Sequence, residues 1–204
     1  MLGIINYGMG NLASVQNALD YLQIPNRVVE VPSDIVLCDR AILPGVGAFG
    51  EAMRKITSLG FKEELQEFAL IRQQPLLGIC LGMQLLLDSS VEYGEFAGLG
   101  FVGGSVRNLG DKSKDLPIPH IGWNDVFSAS DSRLMEGIPA LDRSFYFVHS
   151  YYCNVTERSA ATGQVCYGFE FDAMFEAGNI CGVQFHPEKS QKRGLELLHN
   201  FGKI

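Results

Sequence analysis

A chain of 204 residues is short enough for one hydrophobic core, so we expect a single domain that spans residues 1–204. Its composition, 47% hydrophobic and 19% charged, excludes a globally disordered or collagen-like chain. Because 16 basic residues stand against 23 acidic ones, the net charge of −7 disfavours binding to nucleic acid or to an anionic membrane. Small molecules and other proteins remain as partners.

Strand-like and helix-like segments alternate through residues 1–90, a pattern typical of parallel strands joined by crossover helices. Apolar residues spaced three and four positions apart predict helices between the strands. The predicted helices lie at Leu12–Leu22, in a segment that ends at Met53, and at Phe61–Ile71. Continuous apolar runs predict strands at Leu2–Tyr7, Val28–Val31, Ala41–Leu43 and Leu76–Ile79.

The second half of the chain has a different pattern. Repeated glycines and the charged stretch 111–115 predict loops. Antiparallel hairpins are predicted by short apolar segments at 126–127, 145–148, 151–155 and 163–167. A strand at 180–185 and a last helix with Leu195, Leu198 and Phe201 on one face complete the chain. The predicted fold class is α/β: a mostly parallel central sheet flanked by helices, with an added antiparallel β region in the second half.

The five cysteines and the amino-terminal segment indicate a cellular compartment. No Cys-x-x-Cys spacing occurs, and no histidine lies near a cysteine pair, so we predict no metal site. The first residues lack the basic region of a secretory signal, and the run from Leu76 to Leu87 is too short to cross a bilayer. We therefore expect a soluble, cytosolic protein with reduced cysteines, most of them small buried hydrophobes.

Three glycine-rich segments match the dinucleotide-binding pattern Gly-x-Gly-x-x-Gly/Ala, at residues 8–13, 45–50 and 98–103. Three matches in a chain with 23 glycines show that the pattern discriminates poorly here. Tight turns that need residues without a Cβ explain the segments equally well. We therefore favour turns over dinucleotide binding, and we predict no cofactor.

Cys80 differs from the other cysteines in its sequence context. It lies between Gly78 and Gly82, where a buried strand ends and a helical run begins, which is the pattern of a nucleophile elbow. The helix amino terminus favours a thiolate over a thiol, and the N–H of Leu81 points to the place where an oxyanion would form. This pattern predicts a cysteine nucleophile.

Among the four histidines, His186 has the context of a general base. It ends a strand, and Pro187 favours extended backbone there, which keeps the imidazole at the carboxyl end of the sheet. Glu188 can orient the ring and determine its tautomer, the third role in a triad. Without Cys80, a surface His-Pro-Glu turn would be an equal alternative. The remaining histidines lack this context: His120, His149 and His199.

Two motifs resemble those of the class I, triad-type glutamine amidotransferases: Gly-Ile-Cys-Leu-Gly-Met-Gln at 78–84 and Gln-Phe-His-Pro-Glu-Lys at 184–189. The order of nucleophile, histidine and acid also differs from that of α/β-hydrolases, in which the acid precedes the histidine. Within the family, four further segments resemble the glutaminase subunits of imidazole glycerol phosphate synthases, at 6–12, 44–49, 120–124 and 146–152.

The resemblance implies hydrolysis of glutamine to glutamate and ammonia. Cys80 would be the nucleophile, His186 would transfer protons, and Glu188 would orient His186. An oxyanion hole would combine the N–H of Leu81 with one from the turn that contains Val46 and Gly47. By resemblance, the residues that hold glutamine are Gly47, Gln84, Ser150 and Tyr151, with Glu92 as a weaker candidate for the α-amine.

The resemblance also implies a heterodimer with a cyclase of (β/α)₈-barrel fold. That cyclase uses ammonia to make imidazole glycerol phosphate and an aminoimidazole carboxamide ribonucleotide in histidine biosynthesis. Gly10, Asn11 and Trp123 resemble parts of the interface, although a plain turn and a core tryptophan are alternatives. Other functions remain open: a partner-independent hydrolase of other γ-glutamyl substrates, a non-catalytic module, and a relative that feeds a cyclase-like partner in a surface-sugar pathway.

Overall fold

The computed structural model describes residues 1–113, 115–128 and 132–204, and a mixed sheet of twelve strands forms its centre. The strands are β1 (Leu2–Ile5), β2 (Asn26–Val29), β3 (Arg40–Gly45), β4 (Leu76–Cys80), β5 (Ser89–Ser90), β6 (Phe96–Ala97), β7 (Gly104–Asn108), β8 (His120–Asp125), β9 (Phe127–Ser128), β10 (Ser144–His149), β11 (Tyr151–Val155), β12 (Ala161–Cys166), β13 (Glu170–Ala177) and β14 (Ile180–Val183). The α-helices are α1 (Leu12–Tyr21), α2 (Phe49–Ser58), α3 (Phe61–Gln66), α4 (Leu81–Leu85) and α5 (Gln191–Phe201).

Five neighbouring strands form the parallel part of the sheet, in the order β2-β1-β3-β4-β14. Every residue of β4 is buried, which explains why its sequence is continuously apolar. In the register of β3 with β4, Gly45 lies opposite Cys80. This parallel part of the sheet, with its flanking helices, confirms the predicted α/β class.

An antiparallel region continues the same sheet beyond β14, in the order β13, β11 and β7. Strand β12 pairs with β13, and β9 pairs with β12. Strands β8 and β10 form a separate two-stranded ribbon. The predicted antiparallel β region is therefore present, and most of it extends the central sheet.

Two predictions about elements need correction. Strand β2 lies at Asn26–Val29 rather than 28–31, and Pro32 begins a 3₁₀ segment that ends at Leu37. The helix predicted over 61–71 is α-helical only to Gln66 and continues as a π-helical turn at Glu67–Ile71. Further 3₁₀ segments lie at Leu109–Asp111, Ala140–Asp142 and Pro187–Lys189. Lys114, within the predicted charged loop, lies outside the described residues.

Two hydrophobic clusters bury the faces of the sheet. One contains residues of α1 and α5, including Val15, Leu19 and Phe201. The other contains residues of α2, α3 and α4, including Ile56 and Leu65. As predicted, the last helix turns an apolar face to the sheet, although its Leu195 is only partly buried. None of the described helices is long and apolar enough to cross a membrane.

Candidate active site

Cys80 lies at a sharp turn between β4 and α4, with a backbone φ of +54°. Non-glycine residues seldom adopt such a value, which costs about 1–3 kcal/mol and is common at functional sites. A Cβ at Gly78 would lie 2.6 Å from the backbone of Gly82, and a Cβ at Gly82 would overlap the carbonyl oxygen of Leu43. Both glycines are therefore required by close backbone packing, as the sequence pattern predicted.

His186 follows β14, the parallel neighbour of β4, and so lies at the same edge of the sheet as Cys80. Its Nδ1 is 2.8 Å from Oε1 of Glu188, and both side chains are buried. The backbone of His186 is also anchored, because its N–H donates to the carbonyl of Tyr146 at 2.9 Å and its carbonyl accepts from Oγ of Ser190 at 2.6 Å. The imidazole is thus held in one orientation by its own segment and by β10.

The proton affinity of His186 reflects opposing effects. Burial lowers the pKa of the ring, but the neighbouring Cys80 and Glu188 outweigh burial and raise the pKa to about 10. Nε2 of His186 is buried and has no hydrogen-bond partner of normal geometry among the described residues. The ring is therefore a protonated imidazolium at neutral pH, and its Nε2 faces the cavity that Cys80 also lines.

A cavity of about 290 Å³ brings most of the predicted site residues together. They are Val46, Gly47, Cys80, Leu81, Gln84, Glu92, Ser150, Tyr151 and His186. Glu188 lies behind His186. Three lining residues had no predicted role in the sequence, namely Val148, His149 and Lys189. A larger groove of about 830 Å³ runs along α2, but the residues that line it include no cysteine or histidine.

The predicted oxyanion donors differ in availability. Leu81 is the first residue of α4, so no preceding helical turn can accept its N–H. The N–H of Val46, by contrast, donates to the carbonyl of Met9 at 3.3 Å. Val46 is therefore not available as an oxyanion donor in this structure, because the loop before α1 binds its N–H. Gly47 follows with a φ of +99°.

Two of the predicted glutamine-binding side chains make hydrogen bonds in the cavity wall. Nε2 of Gln84 donates to the carbonyl of Tyr151 at 3.1 Å and to Oε1 of Gln184 at 3.0 Å. Glu92 accepts the N–H of Phe49 through Oε2 at 2.6 Å, and burial raises the pKa of its carboxyl against the effect of this bond. Gln84 therefore has its Oε1 left to accept a further donor, and Glu92 can bind a cation.

His149, which lines the cavity, forms a buried pair with His120. Nδ1 of His149 is 2.8 Å from the carbonyl of Tyr151, and Nδ1 of His120 is 3.0 Å from Nε2 of His149. His120 stacks between Phe147 and Tyr167, with ring centroids 4.9 and 4.1 Å away. Burial lowers the pKa of His120 to about 4 and that of His149 to about 3. Both rings are therefore neutral, and His186 is the charged histidine of the site.

The predicted interface residues lie on the surface. Trp123 is 48% exposed on β8 and contacts Tyr146 edge to face, with ring centroids 6.2 Å apart. The alternative of a core tryptophan is therefore wrong. Asn11 follows Gly10 in the turn before α1 and caps that helix by accepting the N–H of Ser14 at 3.4 Å.

All five cysteines are unpaired, but they differ in exposure. Cys166 is exposed, whereas Cys38, Cys153 and Cys181 are buried. The expectation of buried hydrophobes is therefore wrong for Cys166, because alternate residues of the antiparallel strand β12 face outward. No group of three or more histidine, cysteine, aspartate or glutamate residues that could hold a metal occurs in the described ranges.

Comparison with known proteins decides the family. Residues 4–203 match the model of the family "Glutamine amidotransferase class-I". The chain is 48% identical to the "Imidazole glycerol phosphate synthase subunit HisH" of Moorella thermoacetica, over all of this chain and 94% of the relative. It is 46% identical to the subunit of the same name from Desulfitobacterium hafniense, with the same coverage. The chain belongs to the class-I glutamine amidotransferases, in the HisH family.

The fold of this glutamine amidotransferase is also found in more distant proteins. A crystal structure described as a glutamine amidotransferase superposes on it with a TM-score of 0.74 and covers 98% of both chains. The two sequences are only 19% identical, so the likeness concerns the fold. The parallel sheet, with its antiparallel extension, is thus the architecture of this family.

The neutral buried histidines lead to a prediction about stability in mild acid. The unfolded chain binds protons below the ordinary histidine pKa of 6.5, whereas folded His149 stays neutral down to about pH 3. The free energy of unfolding is therefore expected to fall by up to about 1.4 kcal/mol per pH unit for His149 as the pH drops below 6.5. The raised pKa of His186 has the opposite effect: its stabilising contribution is complete well below pH 6.5 and is lost as the pH rises from about 6.5 to about 10.

Urea unfolding between about pH 5 and 7 tests this expectation. His149→Gln should reduce the slope of the free energy of unfolding against pH by the equivalent of about one bound proton, and His120→Gln should have the same effect. His199→Gln is the matched control, because His199 is exposed in α5. Slopes that are equal in all three variants and in the parent would show that the buried pair does not control acid stability.

Proposed function

We propose that this chain hydrolyses glutamine to glutamate and ammonia and passes the ammonia to a cyclase subunit of imidazole glycerol phosphate synthase. One observation carries the proposal: the strained Cys80 and the His186–Glu188 pair open onto the same small cavity. Family membership supports the reaction, and the names of the relatives support the pathway, which is histidine biosynthesis. The unpaired cysteines support a cytoplasmic location for this activity.

In the proposed mechanism, Cys80 attacks the side-chain amide carbon as a thiolate. His186 then gives its Nε2 proton to the departing ammonia, which leaves a γ-glutamyl thioester and a neutral imidazole. The neutral ring takes a proton from water, and the resulting hydroxide adds to the thioester carbon. The C–S bond then breaks, which releases glutamate, whose acid proton passes to solvent, and restores the Cys80 thiolate beside the protonated His186. Glu188 keeps Nε2 directed to the cavity throughout, because it accepts the Nδ1–H.

Glutamine itself would be held by polar groups of the cavity wall. We propose that Oε1 of Gln84 accepts a donor of the substrate and that the carboxylate of Glu92 binds its α-ammonium group. Ser150 and Tyr151 also line the cavity, and Gly47 lets the substrate approach the backbone. These groups select a small, zwitterionic amino acid amide rather than an extended peptide, which a cavity of about 290 Å³ would not enclose.

The oxyanion hole would need a rearrangement before it is complete. Leu81 offers one N–H, but Met9 binds the N–H of Val46. Loss of one oxyanion donor typically slows catalysis by about 10²–10³. Met9 lies beside Gly10 and Asn11, the predicted interface residues, so we propose that contact with the cyclase releases Val46. The isolated chain would then have low activity, which distinguishes it from a partner-independent hydrolase.

A partner is also required by the chemistry of ammonia. Ammonia released into neutral water becomes mostly ammonium, which is not a nucleophile, so delivery needs a dry route into the cyclase. Ile121 and Trp123 are 58% and 48% exposed on one face of β8. Their strand pairs with β10, whose Tyr146 carbonyl binds the backbone of His186. We propose this face as the docking surface, in a heterodimer with a cyclase of (β/α)₈-barrel fold.

Replacement of the nucleophile tests the reaction. Cys80→Ala should lower glutamate release, measured in the presence of a purified cyclase subunit, by at least about 10³, because no other group can form the thioester. Cys166→Ala is the matched control and should keep parental activity, since Cys166 is exposed on β12 outside the cavity. Undiminished release by Cys80→Ala would refute the assignment.

Trp123 tests the docking surface. Trp123→Ala should weaken binding to the cyclase by roughly 30-fold, because a buried interface tryptophan typically contributes about 2 kcal/mol. Calorimetric titration measures the affinity, and urea unfolding should show stability changed by less than about 0.5 kcal/mol. Phe127→Ala removes another exposed aromatic, on β9, and should leave the affinity unchanged. Parental affinity in Trp123→Ala would place the interface elsewhere.

A further inference from the structure

Gln184 lies in the core between β14 and His186, and its side chain is completely buried. Its backbone N–H donates to the carbonyl of Ala173 at 2.7 Å, which holds the residue against β13. Its side-chain amide lies among the polar groups of Gln84, Cys80 and Cys153. A buried amide with partners at both its oxygen and its nitrogen has a defined orientation, and this orientation follows from the neighbours.

The carbonyl of Tyr151 can only accept hydrogen bonds, so the atom of Gln84 that faces it at 3.1 Å must be the amide nitrogen. The same nitrogen faces Gln184 at 3.0 Å, and the facing atom of Gln184 must therefore be its carbonyl oxygen. That oxygen also receives the S–H of Cys153 at 3.9 Å. The amide nitrogen of Gln184 is consequently directed at the sulfur of Cys80, 3.7 Å away.

Besides the neighbouring His186, the sulfur of Cys80 has two different contacts with protein atoms. As a thiol it can donate to the carbonyl of Val148, at 4.0 Å, and accept from Gln184. As a thiolate it loses the first contact, while the second becomes a charge-assisted hydrogen bond, the stronger kind. The contact with Gln184 therefore favours the form of Cys80 that attacks.

We propose that Gln184 is a positioning residue for the nucleophile: its amide N–H orients the Cys80 sulfur and stabilises the thiolate. The inference deepens the proposed function and rests on it in one respect, the role of Cys80 as nucleophile. Gln84, whose free oxygen faces the substrate cavity, holds Gln184 in this orientation.

Alkylation of Cys80 by iodoacetamide tests the contact without glutamine or a cyclase. The full chain carries Cys166→Ser, so that the exposed cysteine does not react, and peptide mass spectrometry follows Cys80 as a function of pH. Gln184→Met keeps the size and removes the donor, and the rate at neutral pH should fall about tenfold, with the pH midpoint of alkylation moved upward. Gln184→Glu places a carboxylate beside the sulfur and should move the midpoint further.

The matched control is Cys153→Ala. Cys153 contacts the oxygen of the Gln184 amide, so its replacement leaves the N–H of Gln184 that faces Cys80 in place. This variant should keep the parental pH midpoint. His186, Tyr7 and Cys153 interact electrostatically with Cys80, and the titratable groups Glu92, His149, Tyr151 and Lys189 line the same cavity. All of them except Cys153 are unchanged in every variant. An unmoved midpoint in Gln184→Met, or an equal shift in Cys153→Ala, would overturn the proposal, because packing alone would then explain the result.

Glutamate release, measured in the presence of the cyclase, distinguishes a failure of the inference about Gln184 from a failure of the proposed function. Gln184→Met should lower kcat about tenfold and change the KM for glutamine by less than about threefold, because Gln184 does not line the cavity. If the parental complex released no glutamate, the proposed function would fail, while the alkylation experiment would still judge the contact between Gln184 and Cys80. Unfolding curves identify a variant that does not fold, and the Met and Glu variants provide two independent measurements.

Discussion

Close backbone packing at the turn between β4 and α4 excludes side chains at two positions: a Cβ at Gly82 would overlap the Leu43 carbonyl of β3, and a Cβ at Gly78 would clash with the backbone of Gly82. This contact determines the position of the start of α4, the strained backbone of Cys80 and the direction of the Leu81 N–H. Hydrogen bonding between β4 and β14 then places His186 at the same edge. Backbone packing in the parallel sheet therefore brings the cysteine at the turn and the histidine one strand away to the same edge.

Three buried histidines near this edge have different charges because they have different partners. Cys80 and Glu188 raise the pKa of His186 against the effect of burial, whereas burial lowers the pKa of His120 and His149, which have no carboxylate partner among the described residues. The neutral pair belongs to a continuous series of hydrogen bonds from the ribbon to the nucleophile. Its members are Asn124, His120, His149, the Tyr151 carbonyl, Gln84, Gln184 and Cys80. The strand that exposes Trp123 and the cysteine thus share one polar network.

Local sequence signals predicted the parts of the molecule that depend on local backbone geometry. Glycines around Cys80 indicated the elbow, and the parallel strands were visible as continuous apolar runs. Strand β13 was missed because Asp172 and Glu176 interrupt its apolar pattern. Their charges are satisfied by distant groups, including the N–H of Val155 for Asp172 and the hydroxyl of Ser132 for Glu176. The Val46–Met9 bond and the role of Gln184 likewise depend on contacts between distant segments, which no local pattern reveals.

The most direct test of a thioester at Cys80 is covalent capture by an electrophilic glutamine analogue, such as a diazoketone, in the complex with a cyclase. Intact mass and peptide mapping would count and locate the adducts. We expect one adduct, on Cys80, that excess glutamine suppresses, since the analogue must occupy the same cavity. An adduct on the exposed Cys166 alone, or labelling of Cys80 that glutamine does not suppress, would contradict the central claim.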